Sequence, residues 1–157
     1  MPLINSLTAP VLGINSLLEK LQSPLLLLFR LWVANVFFMS GLQKLNTWGD
    51  EYGVLYLFRE EYNVPFLNYE VAAFLATAGE LILPIFLVVG FGTRYFAIAL
   101  SILNIVAVAS YYATLAKVGQ VTPHIFWGAM LLTTIIFGSG YFSIDQWIKS
   151  KFGSSYS

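Results

Sequence analysis

Four stretches of this chain run for roughly twenty residues with almost no charge, the length a helix needs to cross bilayer hydrocarbon. They lie at about 24–45, 69–89 and 94–115, and from Thr122-Pro123 to the Gly138-Ser139-Gly140 stretch. Only 10% of the residues are charged and 58% are hydrophobic, where a soluble domain carries about 25% charge. Mean hydropathy is +0.75. A soluble fold of 157 residues cannot hide so much apolar surface, because much of any small protein stays at its surface. Lipid as the solvent removes that conflict. The fold class expected is all-α: an integral membrane four-helix bundle with interfacial amphipathic segments.

Local punctuation sets the boundaries. Pro24 opens the first span. Asn68 is placed to cap the second, and Gly90 and Gly92 end it. Thr93 can cap the third, and Thr122 with Pro123 at the first helical position starts the fourth. Residues 1–23 carry an apolar stripe at Leu3, Leu7, Ile14, Leu17, Leu18 and Leu21, interrupted by Pro10 and Gly13. That pattern predicts a segment lying on the membrane surface. Between the first two spans, Trp48, Tyr52, Leu55, Phe58 and Tyr62 fall near helical spacing opposite Asp50, Glu51, Glu60 and Glu61. This predicts an amphipathic interfacial helix within 46–68, its rings either an anchor at headgroup level or a cradle for a quinone. Ser143 and Gln146 form a capping box, and Ile144, Trp147 and Ile148 beside Lys149 and Lys151 suit the interface. The expected units are therefore 1–23, interfacial; 24–142, spanning; and 143–157, an interfacial tail. No Lys or Arg precedes Lys20 and no cleavage site follows a short apolar core, so a mature N-terminus is expected.

Charge and chemistry narrow the functions. Eight basic and eight acidic residues cancel, which is no footprint for nucleic acid. The absence of cysteine excludes disulfides, thiol redox chemistry, iron–sulfur clusters and covalent haem, and one histidine excludes a bis-histidine haem within one chain. With four spans, the termini and the second connection hold Lys20, Arg94, Lys149 and Lys151, against Lys44, Arg59 and Lys117 on the other side. Lys44 counts little at the membrane edge, so the positive-inside rule predicts cytoplasmic termini with 46–68 outside.

Ionisable groups inside a span are costly and need an interior partner. Arg30 lies roughly 9 Å into the first span and Glu80 about 15 Å from the Gly90 end of the second, whereas Lys44 is about 21 Å beyond Arg30. Arg30, Ala34, Phe37, Gly41 and Lys44 share a face, and Ala73, Ala76, Thr77 and Glu80 form a small-residue face opposite. These faces are expected to pack and to bring Arg30, not Lys44, to Glu80. Asn104 is at a depth to hydrogen-bond Glu80, and Asn35 points elsewhere. Such a pair either fixes helix neighbours or carries function. His124, at a helix start, is expected to be solvated or to cap, and with Glu70 gives only a weak metal signal, so no metal is assigned.

Arg30-Leu-Trp and Ser40-Gly-Leu-Gln-Lys44, Thr77-Ala-Gly-Glu80-Leu, Gly90-Phe-Gly-Thr-Arg94, His124-Ile-Phe-Trp127 and Gly138-Ser-Gly140-Tyr-Phe-Ser-Ile-Asp145 together resemble the DoxX family of small bacterial inner-membrane proteins. Leu57-Phe-Arg-Glu-Glu-Tyr-Asn-Val-Pro65 resembles a subgroup associated with redox or metal-handling operons. The resemblance covers about 25–150, and departs at Ser139 where the family usually has proline. It implies a four-helix fold in the inner membrane and a setting beside oxidoreductases handling thiosulfate, sulfur or superoxide.

The expected function is a membrane subunit of an oxidoreductase-linked system, anchoring a redox protein partner or passing electrons to quinone. A proton-coupled transporter with Glu80 as its titrating group, and a scaffold without chemistry, are the alternatives. Cationic groups can stabilise a reduced quinone oxygen while Glu80 or His124 moves its proton. The candidate site residues are Arg30, Lys44, Glu80, Arg94 and His124, with Asn35, Glu70 and Asn104 secondary. No cofactor is expected to be covalently bound, quinone is the one left open, and homo-oligomerisation is open as well. Lys44, His124 and Glu70 are expected at one depth near the outer leaflet, between spans one, two and four, under the aromatic segment 48–62.

Overall fold

A computed structural model describes residues 2–62 and 64–153, with side chains from Ile14 onward. The Leu3 and Leu7 side chains of the expected stripe, Asn63, and the tail beyond Gly153 lie outside what is described. Among the described residues there are six helices: α1 Pro2–Asn46, α2 Val54–Glu60, α3 Tyr69–Val89, α4 Thr93–Lys117, α5 Val121–Phe137 and α6 Ile144–Phe152. α1 neighbours α3 and α5, α4 neighbours the same two, and α2 lies on α3. Three helices are long and apolar enough to cross a membrane: α1 over Ile14–Asn46, α3 and α4. α5 is apolar but has 17 residues. The chain is a membrane-embedded, all-α bundle.

The outer faces confirm the solvent. Trp32, Met39, Phe74, Ile102, Ile105 and Phe126 are all exposed, an arrangement that water would punish and lipid does not. Inside, Val33, Ala34, Phe37, Leu87, Ala97, Leu100 and Leu131 form one apolar core drawn from all four long helices. A second, of Val54, Phe58, Ala72 and Ala73, joins α2 to the start of α3.

Several boundaries follow the sequence reading. Asn68 caps α3, its side chain accepting from the Glu70 N–H at 2.9 Å. Gly90 ends α3 in the left-handed conformation, φ 73°. Ser143 accepts from the Gln146 N–H at 3.1 Å, one half of the expected box. Others do not follow. α1 is continuous from Pro2 and no break occurs at Pro24. That proline removes one hydrogen bond, to the Lys20 carbonyl, and its ring is exposed, so the helix runs through. α2 is a short helix of seven residues, because the chain turns at 47–50 and Gly53 packs where any Cβ would run into the Thr47 carbonyl. α5 begins at Val121 with no side-chain cap, Pro123 falling in its first turn where its missing N–H is harmless. Thr93 does not cap α4; it is the first helical residue, and the cap comes from Asp145. That carboxylate accepts from the N–H groups of Gly92 and Thr93 at 2.7 and 2.9 Å and from the Thr93 hydroxyl at 2.7 Å.

α1 crosses α3 closely at Gly41, where a Cβ would lie 3.0 Å from the Glu80 Cβ and from the Leu81 Cγ. Gly41→Ala should push α1 off α3 and destabilise the bundle by about 1–3 kcal/mol, measured by thermal unfolding in detergent. An unchanged midpoint would show that the crossing is looser than described.

Candidate functional site

The single Arg30–Glu80 site expected from sequence does not form; the structure contains two polar sites at different levels of α1. Arg30 is 0% exposed. Its Nε donates to the Leu87 carbonyl at 2.8 Å and Nη2 to Val88 at 2.7 Å, both at the end of α3. Nη1 donates to Ser139 at 2.6 Å and Phe142 at 3.0 Å, in the turn after α5. The terminal carbonyls of a helix have no partner in that helix and carry partial negative charge. Arg30 is therefore a helix cap, with four of its five donors satisfied.

Lys44 is the partner of Glu80, with Nζ donating to Oε2 at 2.7 Å and to the Ser40 hydroxyl at 2.8 Å. The reason lies in the packing register. Gly41 sits against Glu80, so Arg30 is eleven residues away, about 16 Å. Side chains of a helix lean toward its N-terminus. Arg30 thus leans away from Glu80, and Lys44, three residues past Gly41, leans back onto it. Ser40 stands one turn before Lys44 and orients the ammonium. Pro84, four residues after Glu80, removes the N–H that would bond the Glu80 carbonyl.

Beside this ion pair is a cavity of about 170 Å³. Lys44 and Glu80 are its charged lining; Leu75 and Ala76 of α3 and Leu103, Val106 and Ala107 of α4 are its apolar walls. Phe58 and Tyr62 close it toward the loop end. Phe58 stacks on Tyr62 at 4.4 Å and Tyr62 on Tyr111 at 4.5 Å, each pair within 13° of parallel. The Tyr111 hydroxyl donates to Glu61 at 2.7 Å, tying the loop to α4 where that helix kinks at Tyr111. Burial, and next the charge of Glu80, push the Tyr62 phenol well above its ordinary range, so it stays protonated and a donor. Lys44 keeps one N–H beyond its two bonds.

The other candidates are placed elsewhere. Asn104 is buried but does not reach Glu80: its Nδ2 donates to the His124 carbonyl at 2.9 Å and its Oδ1 meets His124 Nδ1 at 2.7 Å. Because that carbonyl only accepts, the amide orientation is fixed and the neutral His124 ring carries its proton on Nδ1. His124 does not line the cavity, nor does Glu70, which is exposed and accepts from the Tyr69 hydroxyl at 3.1 Å. The third wall is α4, not α5, because α4 is the neighbour of α3 in the ring. Arg94 is exposed and donates to the Ile136 carbonyl at 3.2 Å. Asn35 is exposed, on the side away from Arg30. Sequence reasoning did not single out Ser40 or Asp145; the i, i+4 spacing of Ser40 and Lys44 was the available signal for the first. Among the described residues, no three His, Cys, Asp or Glu gather as metal ligands would.

The family model for DoxX matches residues 25–113. The chain belongs to the DoxX family. The matched part of this DoxX protein contains Lys44, Glu80 and the loop aromatics, and Arg30 with its acceptors on α3, while the acceptors at Ser139 and Phe142 lie beyond it. No curated protein and no solved structure matches the chain.

Removing one partner of a buried pair strands the other. Lys44→Met alone should cost about 3–5 kcal/mol unless Glu80 takes up a proton, and Lys44→Met with Glu80→Leu should recover most of that loss. Unfolding of both variants in detergent checks the coupling; independent, additive losses would remove the pair. Arg30→Lys should lower the unfolding midpoint more than Glu80→Gln, since an ammonium cannot reach four separate carbonyls.

Proposed function

We propose that this DoxX protein is the membrane subunit of an oxidoreductase-linked system and that its working site is the cavity at Lys44 and Glu80. The observation carrying this is an ion pair facing an apolar-walled space with an aromatic stack at its mouth. Leu67, Leu75 and Val106 line the cavity and are also exposed on the outside of the bundle, so a ligand dissolved in lipid reaches it sideways. A ring with polar oxygens fits such a pocket: apolar walls hold it and a few convergent polar groups orient it. Quinone is the ligand of that description, supplying two-electron redox chemistry when bound. The remaining Lys44 N–H would hold a ring oxygen and favour negative charge there. Glu80 would hold or release a proton beside that oxygen, and Phe58 and Tyr62 would offer a stacking face. A chain without cysteine supplies no thiol or iron–sulfur relay, so the electrons are assigned to a redox protein partner.

In this reading α5 is the fourth span. Its 17 residues give about 25 Å, short but matched by α6 and the turn at one end. The bundle sits in the bacterial inner membrane with cytoplasmic termini. Lys44, engaged inside the bundle, drops out of the charge comparison, leaving Lys20, Arg94, Lys149 and Lys151 against Arg59 and Lys117. Residues 14–23 of α1 and α6 would then lie in the cytoplasmic interface.

A soluble short-chain quinone analogue should quench the fluorescence of the purified protein saturably. Lys44→Met and Tyr62→Ala should each weaken binding at least about tenfold, one hydrogen-bonded or stacked contact each, while Glu70→Gln should leave it unchanged. Equal affinity in all four proteins would reject the site. For topology, a single cysteine at Asn68 should react with an impermeant maleimide in intact cells and one at Lys149 only after permeabilisation. The reverse pattern would invert the orientation.

A further inference from the structure

The opposite end of the bundle carries a second, larger concavity. An open cleft of about 880 Å³ lies between α1 at Glu19, Gln22 and Ser23, the start of α4, and α6. It shares no lining residue with the cavity at Lys44. Two cations line it, Arg94 and Lys149, and two carboxylates, Glu19 and Asp145. Those charges do not cancel in place. Both Asp145 oxygens are occupied by Gly92 and Thr93, where the carboxylate offsets the positive end of the α4 dipole. Among the described residues, neither Arg94 nor Lys149 has a carboxylate within ion-pair distance. Arg94 uses one Nη2 donor on Ile136, leaving Nε and Nη1 for a ligand.

The surroundings select the kind of ligand. Tyr95 and Tyr141 line the cleft and are largely exposed, as rings at the headgroup level are. From the polar floor the cleft passes to exposed Phe137. A ligand that fills it is therefore anionic at one end and apolar at the other.

We propose that this cleft is a binding site for an anionic phospholipid of the leaflet that holds the termini. Arg94 and Lys149 take the phosphodiester, Arg94 by two N–H groups and Lys149 as a point charge. The Gln22 amide oxygen accepts from a hydroxyl of the headgroup, Arg94 and Lys149 favour a headgroup that brings no positive charge of its own, and the chains run along Phe137. Basic pockets between helices at this depth hold anionic headgroups in the same way. The site is independent of the quinone reading and of which face of the membrane the termini occupy.

The test is binding of phosphatidylglycerol and phosphatidylcholine to the purified full chain, by native mass spectrometry from detergent, with glycerol phosphate as a soluble comparison. Wild type should retain phosphatidylglycerol at least roughly fivefold better than phosphatidylcholine for each cation engaged. Lys149→Glu, on an exposed face of α6, should abolish the preference without touching the fold, and Arg94→Gln should reduce it. Because Arg94 also caps α5, Lys149→Glu is the deciding variant if Arg94→Gln unfolds. Equal retention of both lipids by wild type would overturn the site, as would an undiminished preference in Lys149→Glu. Glycerol phosphate competing as tightly as the lipid would overturn the assignment to lipid.

Discussion

A guanidinium shut away from water inside a lipid-spanning helix must find its acceptors in protein, and Arg30 finds them in four carbonyls. It joins three elements at once: α1, the end of α3 and the turn after α5. Neighbouring groups depend on that node. Gly90 must be glycine, because it is left-handed and because a Cβ would lie 2.6 Å from Arg30 Nη2 and 2.5 Å from the Ser143 Cβ. The Gly90 carbonyl in turn accepts from the Asp145 N–H at 2.9 Å, which places the Asp145 carboxylate at the start of α4. Arg94 closes the set by taking a carbonyl near the end of α5. Cations thus sit at two helix C-termini and an anion at one N-terminus, each opposing the local dipole.

The same node sets the level of the cavity. With antiparallel helices, the register that places Gly41 against Glu80 puts Arg30 level with residue 91, just past the last residue of α3. That is where the orphan carbonyls point. Moving either helix by a turn would strand the guanidinium and also lift Lys44 off Glu80. Structural and chemical charges are thus held in register by one helix face, Arg30–Ala34–Phe37–Gly41–Lys44.

That face was legible in the sequence, as were the span of α3, its cap at Asn68, and the small-residue stripe it presents. Spacing alone gives which residues share a face. It does not give which way a long side chain leans or where the facing helix ends, and the Arg30–Glu80 pairing failed on those two points. Estimating depth from Pro24 also misled, since α1 extends well beyond the end of α3. The acceptors of Arg30 were invisible for a different reason: every residue has a carbonyl, and only the fold shows which ones lack a partner. The sequence marks Asp145 only as the end of a family motif; its capping role is not legible there because the helix it caps begins fifty-two residues earlier in the chain. The aromatic segment was read correctly as to composition, but Gly53 and the turn at 47–50 shorten its helix to Val54–Glu60 and fold its rings inward over α3.

Arg30 and Lys44 differ in one respect that bears on function. A buried charge kept for architecture is stable only when its donors are used up, because each unmet donor in a low-dielectric site is a direct cost. Arg30 comes close to that condition. Lys44 and Glu80 do not: the ammonium keeps a donor, and among the described residues the second Glu80 oxygen accepts no hydrogen bond. Helix contact here does not need the pair, since Gly41 and the alanines of α3 already bring the backbones together, and apolar side chains of like size would pack without a desolvation cost. A half-satisfied ion pair beside a cavity is what the proposed ligand would complete. On the proposed reading the chain gives that ligand a stacked aromatic wall at Phe58 and Tyr62, and a partner protein would supply the electrons.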